Sequence, residues 1–383
     1  RGTAMTLWNT DVVPHSPGTD AMYVSIPFFI ALSGGSAYGV FMDSTSRCTF
    51  NMGERPPVPA ATGMDVAVPT WPDVGHGEYW FGTARPELDY YFFAGPTVAD
   101  VVRAFSDLTG RMQLPPLWAL GYHQSRFSYC PESQVRAVAR SMRDADIPCD
   151  AIYLDIDYMD GFRVFTFDPA HFPDPAGLIS DLRADGFNVV AIVDPGVKID
   201  SAYPVYRTGR RRRAFVRRAA AGATAAAAQP YRGRVWPGAV VYPDFARADA
   251  RAWWARNHAT LFDAGVRGIW NDMNEPSNFA TTTKTLDEDA VHGEPGAEAR
   301  HAHIHNAYGN LMCRSTQEAF AHLLPDVRPF VITRAGSAGI QRDACVWTGD
   351  NSSWWEHLAM SIPMCCNMSL SGVSFTGADV GGF

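Results

Sequence analysis

No run of about 18 apolar residues interrupts the 383-residue sequence, so none of it reads as a membrane-spanning helix and no membrane partner is expected. The seven cysteines include no C-x-x-C pair and are odd in number. That pattern favours free thiols in a reducing, cytoplasmic setting over a disulfide framework, although two or three incidental bridges stay compatible with it. No methionine opens the chain at Arg1, which equally suits a removed signal peptide or a truncated start. Charge is sparse, at 19% of residues, and the net charge of -8 argues against a general nucleic-acid partner. One local exception is GRRRRAFVRR at 209–218, with six arginines, followed by the alanine-rich AAAGATAAAAQ. Its lack of apolar periodicity predicts a solvated loop over 209–229 that adds little to the core, within an irregular insertion at about 198–235.

Aromatic residues are plentiful, with 11 Trp, 14 Tyr and 22 Phe. Most of them fill a core in any protein, and some suit the stacking of sugar rings. Two rhythms divide the chain. Over 1–96, PFFIAL and AYGVFMD flank the turn-forming SGGS at 33–36, a hairpin signal, and DYYFFAG at 89–95 reads as a further strand, so this part is an antiparallel β-sandwich portion. TVADVVRAFSDLTG then has a helical pattern and leads to Pro115-Pro116.

Over 97–383 short apolar strands alternate with amphipathic helices. The strands are WALGYH, AIYLDID, VVAIVDP, GIWND, FVITR, CVWTGD and GVSFTGAD, with helices expected at 132–144, 176–185, 248–263, 315–323 and 353–360. The fold class is therefore α/β, a (β/α)8 TIM-type barrel of which seven strands are readable, and the sequence reads as a fragment of such a barrel. The strands end in polar groups: His123, Asp155 and Asp157, Asp194, Asp272, Arg334, Asp350 and Asp379. In such a barrel those ends converge on one mouth, where active sites sit.

Two carboxylates facing each other across a mouth, with aromatics around them, fit glycosidic bond hydrolysis: one acid protonates the departing oxygen and the other attacks or stabilises the anomeric carbon. Metal binding is the competing use of acids. Asp155, Asp157 and Asp160 before Gly161 lack the further ligands and terminal Glu of a calcium loop. The histidines of HAHIH at 301–305 lack a suitably spaced partner for zinc and read better as hydrogen-bonded groups. No metal or other cofactor is expected. Glu275, three residues past Asp272, is the rival nucleophile; its side chain should leave the mouth unless the loop bends back, which suits a structural or capping role.

The ordered segments WALGYHQSRFSY (118–129), LDIDYMDGFRVFTFD (154–168), VWPG (235–238), PDF (243–245), WNDMNEPSNF (270–279), HNAYG (305–309), TRAG (333–336), WTGDNSSWWEHL (347–358) and GADVGGF (377–383) resemble glycoside hydrolase family 31, the α-glucosidase family. LWNTD and SIPFFIAL resemble its N-terminal β-sandwich. The resemblance implies a retaining α-glucosidase that removes terminal glucose from α-linked oligosaccharides, with Asp272 as nucleophile and Asp350 as general acid/base. It further implies that Asp155, Arg334 and Asp379 contact sugar hydroxyls and that Trp236, Trp270, Met273, Trp347 and Phe127 line the glucose pocket. Phe127 stands where the family usually has Trp, and Asp343 where an aromatic is common. The family's eighth strand, a His-bearing pocket segment and C-terminal sandwiches would follow Phe383. An α-xylosidase or transglucosidase of the same family, or a non-catalytic carbohydrate-binding fragment, are the alternatives.

Overall fold

The computed structural model describes residues 3–53, 79–218 and 229–383. Its N-terminal part holds two three-stranded antiparallel sheets, Ala4–Leu7, Cys48–Asn51 and Trp80–Thr83 in one, Phe28–Ser33, Ser36–Met42 and Tyr90–Phe93 in the other. The expected hairpin is present. Gly34 and Gly35, at φ 57° and 84°, occupy the two left-handed positions that a tight turn between paired Ser33 and Ser36 demands. The sheets meet face to face through Phe29, Phe50, Phe81 and Met42, with Phe29 edge-on to Phe50 at 5.6 Å. The helix Val98–Thr109 starts at a reciprocal cap between Thr97 and Asp100 and stacks Phe105 on Phe28 at 4.1 Å.

The main sheet has seven parallel strands in chain order: β1 (His123–Gln124), β2 (Ala151–Leu154), β3 (Asn188–Val193), β4 (Gly268–Asn271), β5 (Val331–Thr333), β6 (Cys345–Trp347) and β7 (Thr376–Gly377). β2 and β4 are buried at every residue and β3 at all but its first, which is why they read as continuous apolar runs rather than alternating ones. Helices Glu132–Asp144 and Pro175–Ala184 lie close to the expected positions, and the segment 248–263 is two helices, Ala248–Asn257 and Ala259–Asp263. Two helices are longer than their periodicity suggests. Tyr308–Leu323 begins seven residues early, and Trp355–Leu370 runs on through Pro363, which a sequence reading takes as a stop. WALGYH is not one strand: Leu117–Leu120 forms a 3-10 turn and only His123–Gln124 pairs.

The arginine segment departs most from expectation. Pro204–Arg212 is a helix that buries Val205, Tyr206 and Gly209, and Ala214, Phe215 and Val216 join the barrel core. Val216 pairs with Tyr231 and Tyr242 through backbone hydrogen bonds of 2.7 and 2.8 Å. Three apolar positions at helical spacing are enough to anchor one face, and the arginines on the other face hide them from a composition-based reading. The neighbouring strands Val197–Lys198, Arg232–Val235 and Gly238–Val241 form an antiparallel sheet, so much of what is described of 198–235 is regular structure. Residues 219–228 of the expected loop lie outside the described residues.

The N-terminal part is tied to the barrel at several points. Val24–Ser25 pairs in parallel with Gly336–Ser337, Trp8 stacks on His305 at 3.7 Å, and Asn9 N–H donates to Asn306 Oδ1 at 2.9 Å. All seven cysteines are free thiols.

Candidate active site

Register places the acids. Val193, Asn271 and Thr333 are aligned partners across β3, β4 and β5, so the next residues, Asp194, Asp272 and Arg334, leave the sheet at one level. Trp347 closes β6 opposite Gly377, which puts Asp350 and Asp379 just beyond the same edge, while Asp155 follows β2 directly. The parallel sheet alone therefore gathers residues from 155 to 379 at one rim.

Arg334 is the hub. Its guanidinium is buried and lies 3.1 Å from Asp272 Oδ1, 3.9 Å from Asp350 Oδ2 and 3.7 Å from Asp11 Oδ1. Its strongest contacts go to Glu275, with Nε and Nη2 donating at 2.8 and 2.9 Å. Because Nε–H is directed to Glu275, Asp272 Oδ1 keeps ionic contact without a hydrogen bond of its own. Met273 Sδ accepts from Nη2 at 3.2 Å, and Ser277 Oγ donates to Glu275 at 2.7 Å.

Glu275 corrects the sequence reading in one respect. Met273 adopts the left-handed φ of 55°, the loop turns back, and Glu275 is fully buried within the mouth's polar base rather than directed away from it. Its partner is Arg334 and not a helix terminus.

The electrostatics follow from one cation shared by many acids. Burial pushes the Asp272 carboxyl well up, with Arg334 pulling the other way and Asp194, Asp350 and Glu275 adding to the rise. Asp350 is also raised, by burial first, with Arg334 opposing and Asp11 and Glu275 reinforcing. Burial lifts Asp155, Asp194 and Asp379 to about 7 each. Arg334 itself is held firmly charged by Asp272, Glu275 and Asp11, which outweigh its own burial.

Trp270 and Trp347 meet edge-to-face at 5.6 Å, and Tyr153 is edge-on to Trp270 at 5.9 Å. Together with Asp350, Asp379 and His123 they line a cavity of about 460 Å³ between the edges of β1 and β7. Two of the expected pocket residues are exposed. Phe127 is exposed with Phe383 as its ring partner, and Trp236 is exposed beside Phe279. Asp160, of the calcium-like run, pairs with Arg163 outside the mouth.

Asp11 and Tyr23 were not legible as site residues. Asp11 Oδ2 lies 3.1 Å from Ser277 Oγ, and the Tyr23 ring lies 5.0 Å from the Arg334 guanidinium. The only signal was LWNTD, whose aspartate is Asp11. Asp194 was visible as a strand-end acid without a role. Of the histidines of 301–305, His301 and His305 are hydrogen-bonded through their rings: His292 to His301 at 3.0 Å, His301 to His305 at 2.8 Å, and His305 Nε2 to Asn9 C=O at 2.7 Å.

Residues 112–383 match the model of the glycosyl hydrolases family 31 TIM-barrel domain. The chain belongs to glycosyl hydrolase family 31. Residues 1–51 match that family's N-terminal galactose mutarotase-like domain. Among family 31 relatives, Alpha-glucosidase 2 of Bacillus thermoamyloliquefaciens is 49% identical over 100% of this chain and 45% of its own length. The solved family 31 alpha-glucosidase from Bacteroides thetaiotaomicron superposes with a TM-score of 0.82 at 36% identity, over 100% of this chain and 58% of that one. A glucosidase II alpha subunit solved in an alpha3-Glc2-bound form gives a TM-score of 0.82 at 32% identity, over 99% and 40%. The chain thus spans about half the length of the relatives it matches.

Proposed function

We propose that the protein carrying this chain is a retaining α-glucosidase that releases terminal glucose from α-linked oligosaccharides by double displacement. The observation that carries this reading is the pairing of Asp272 and Asp350 on a single buried guanidinium, at 3.1 and 3.9 Å. Asp272 attacks the anomeric carbon. Asp350 gives its proton to the glycosidic oxygen as that bond breaks, then takes a proton from the water that releases glucose.

The acid cluster suits this division. One guanidinium cannot balance every carboxylate around it, so some of the acids retain protons. Catalysis needs that proton on Asp350 and the charge on Asp272; Arg334, nearer to Asp272, works toward this distribution, against the deeper burial that lifts the Asp272 carboxyl more than that of Asp350. Asp155, Asp194 and Asp379, neutral for part of the time near pH 7, are suited to exchanging hydrogen bonds with sugar hydroxyls. The α-linked glucose specificity draws support from the names of the relatives.

The test uses azide with the full-length protein. Asp272→Ala abolishes turnover of every α-glucoside and, with azide attacking directly, gives the β-glucosyl azide. Asp350→Ala loses maltose hydrolysis by about 100 to 10,000-fold, retains part of its first step on activated aryl glucosides, and gives the α-azide by interception of the covalent intermediate. Product anomers assigned by NMR the other way round exchange the two roles.

A further inference from the structure

The loop that carries Asp350 is held from two sides. On one, Asn351 exchanges hydrogen bonds with Asp379, its amide donating to the Asp379 carbonyl at 3.0 Å, and Phe383 N–H donates to Asn351 C=O at 2.8 Å. On the other lies the N-terminal segment, from a different sheet system some 340 residues away. Gly349, immediately before Asp350, has φ 80° and rests against the Tyr23 ring so closely that a Cβ there would come within 2.2 Å of it. Tyr23 is buried, and its hydroxyl donates to Val12 C=O.

His357 completes this second side. It is buried in the first turn of the helix Trp355–Leu370, and each ring nitrogen has one partner. Nδ1 accepts from Ser352 N–H at 2.8 Å, and Nε2 donates to the His15 carbonyl at 2.8 Å. Only the neutral Nε2–H tautomer satisfies both bonds at once. The His15 ring stacks on it at 4.8 Å, and Trp354 packs edge-on at 5.1 Å. Ser352 lies two residues past Asp350, so a single imidazole couples the position of that loop to the N-terminal segment.

We propose that His357 is a positioning residue for the acid step, bridging the Asp350 loop to the His15 backbone so that the N-terminal domain sets where the Asp350 proton is presented. This rests on the reading of Asp350 as the general acid. It differs from a purely structural role in its signature. A displaced acid slows only those substrates whose departing oxygen needs a proton, and a displacement near 1 Å is enough to cost on the order of 100-fold.

The experiment compares kcat/KM across aryl α-glucosides of graded leaving-group acidity in the full-length protein, for the wild type, Asp350→Ala, His357→Leu and His357→Gln. The leucine variant keeps volume and loses both bonds; glutamine offers an Oε1 acceptor to Ser352 N–H and an Nε2 donor to His15 C=O. Expected is a loss of about 10 to 100-fold for His357→Leu on alkyl and poor aryl leaving groups, a change within about threefold on dinitrophenyl glucoside, and recovery of most of the loss in His357→Gln. Should leucine not be tolerated, methionine, which is apolar and flexible, takes its place and is read the same way. A loss equal across all leaving groups, or no loss on poor ones, overturns the proposal while leaving Asp350 as the acid. Absence of leaving-group dependence in Asp350→Ala itself removes the acid role, and the proposal with it.

Discussion

Arg334 gives its two shortest hydrogen bonds to Glu275, at 2.8 and 2.9 Å, and only an ionic contact of 3.1 Å to Asp272. The neighbour that looks like a rival nucleophile is thus the residue that orients the cation, leaving the Asp272 oxygen without a competing donor. Removing Glu275 leaves a buried guanidinium without its main partner, at a cost of about 3 to 5 kcal/mol. Glu275→Ala is expected to lower the denaturant midpoint markedly, and Glu275→Gln less so. Neither should yield a glucosyl azide by rescue; a β-azide product from Glu275→Ala moves the nucleophile there.

Asp194 is fully buried with one oxygen unpartnered, and burial raises its carboxyl to about 7 from 3.8. A carboxyl raised on folding binds its proton more tightly in the native state, so its contribution to stability is fullest below pH 4 and is lost as pH rises through about 7. Asp194→Asn removes that loss. The variant should melt higher than the wild type at pH 8, by up to on the order of 4 kcal/mol in stability, with the advantage vanishing toward pH 4. Activity should fall, as is usual when a strained site residue is relaxed. Equal melting gains at both pH values would show that charge burial is not the cause.

Asp11 helps keep the Asp350 carboxyl raised and also draws on Arg334 at 3.7 Å. Asp11→Asn removes a negative charge facing the acid and leaves more of the guanidinium for it, and both effects lower the pKa of Asp350. The basic limb of the kcat/KM pH profile should move to lower pH. An unmoved or upward-moved limb would separate Asp11 from the acid's titration.

Phe215 lies at 3% exposure between Tyr206 and Trp253, with ring centroids at 6.0 and 5.6 Å. Phe215→Ala should cost about 3 to 5 kcal/mol, read from chemical denaturation. Substituting the exposed Arg211 and Arg212 by Ala should change stability by less than about 0.5 kcal/mol. A mild effect of Phe215→Ala would return the segment to the solvated loop that its composition suggests.

The amino-acid sequence by itself determined the β/α order, the hairpin at 33–36 and the rim acids Asp155, Asp272 and Asp379, because short apolar strands and their polar ends repeat along the chain with a period that local chemistry imposes. The motifs around Asp272 and Asp350 likewise identified the family before any contact was known. Tertiary structure decided what those acids face. Asp11, Tyr23 and His15 come from another sheet system, and no spacing along the chain reports that they close over Arg334 and the Asp350 loop. Glu275 turned inward because Met273 takes a left-handed backbone, a choice that Arg334, 59 residues away, helps to stabilise with two hydrogen bonds. The arginine helix stayed hidden for a related reason: Tyr206 packs on Phe215, and Gly209 on Phe215 and Trp253, only in the folded core, and charge on the opposite face dominates any reading of composition.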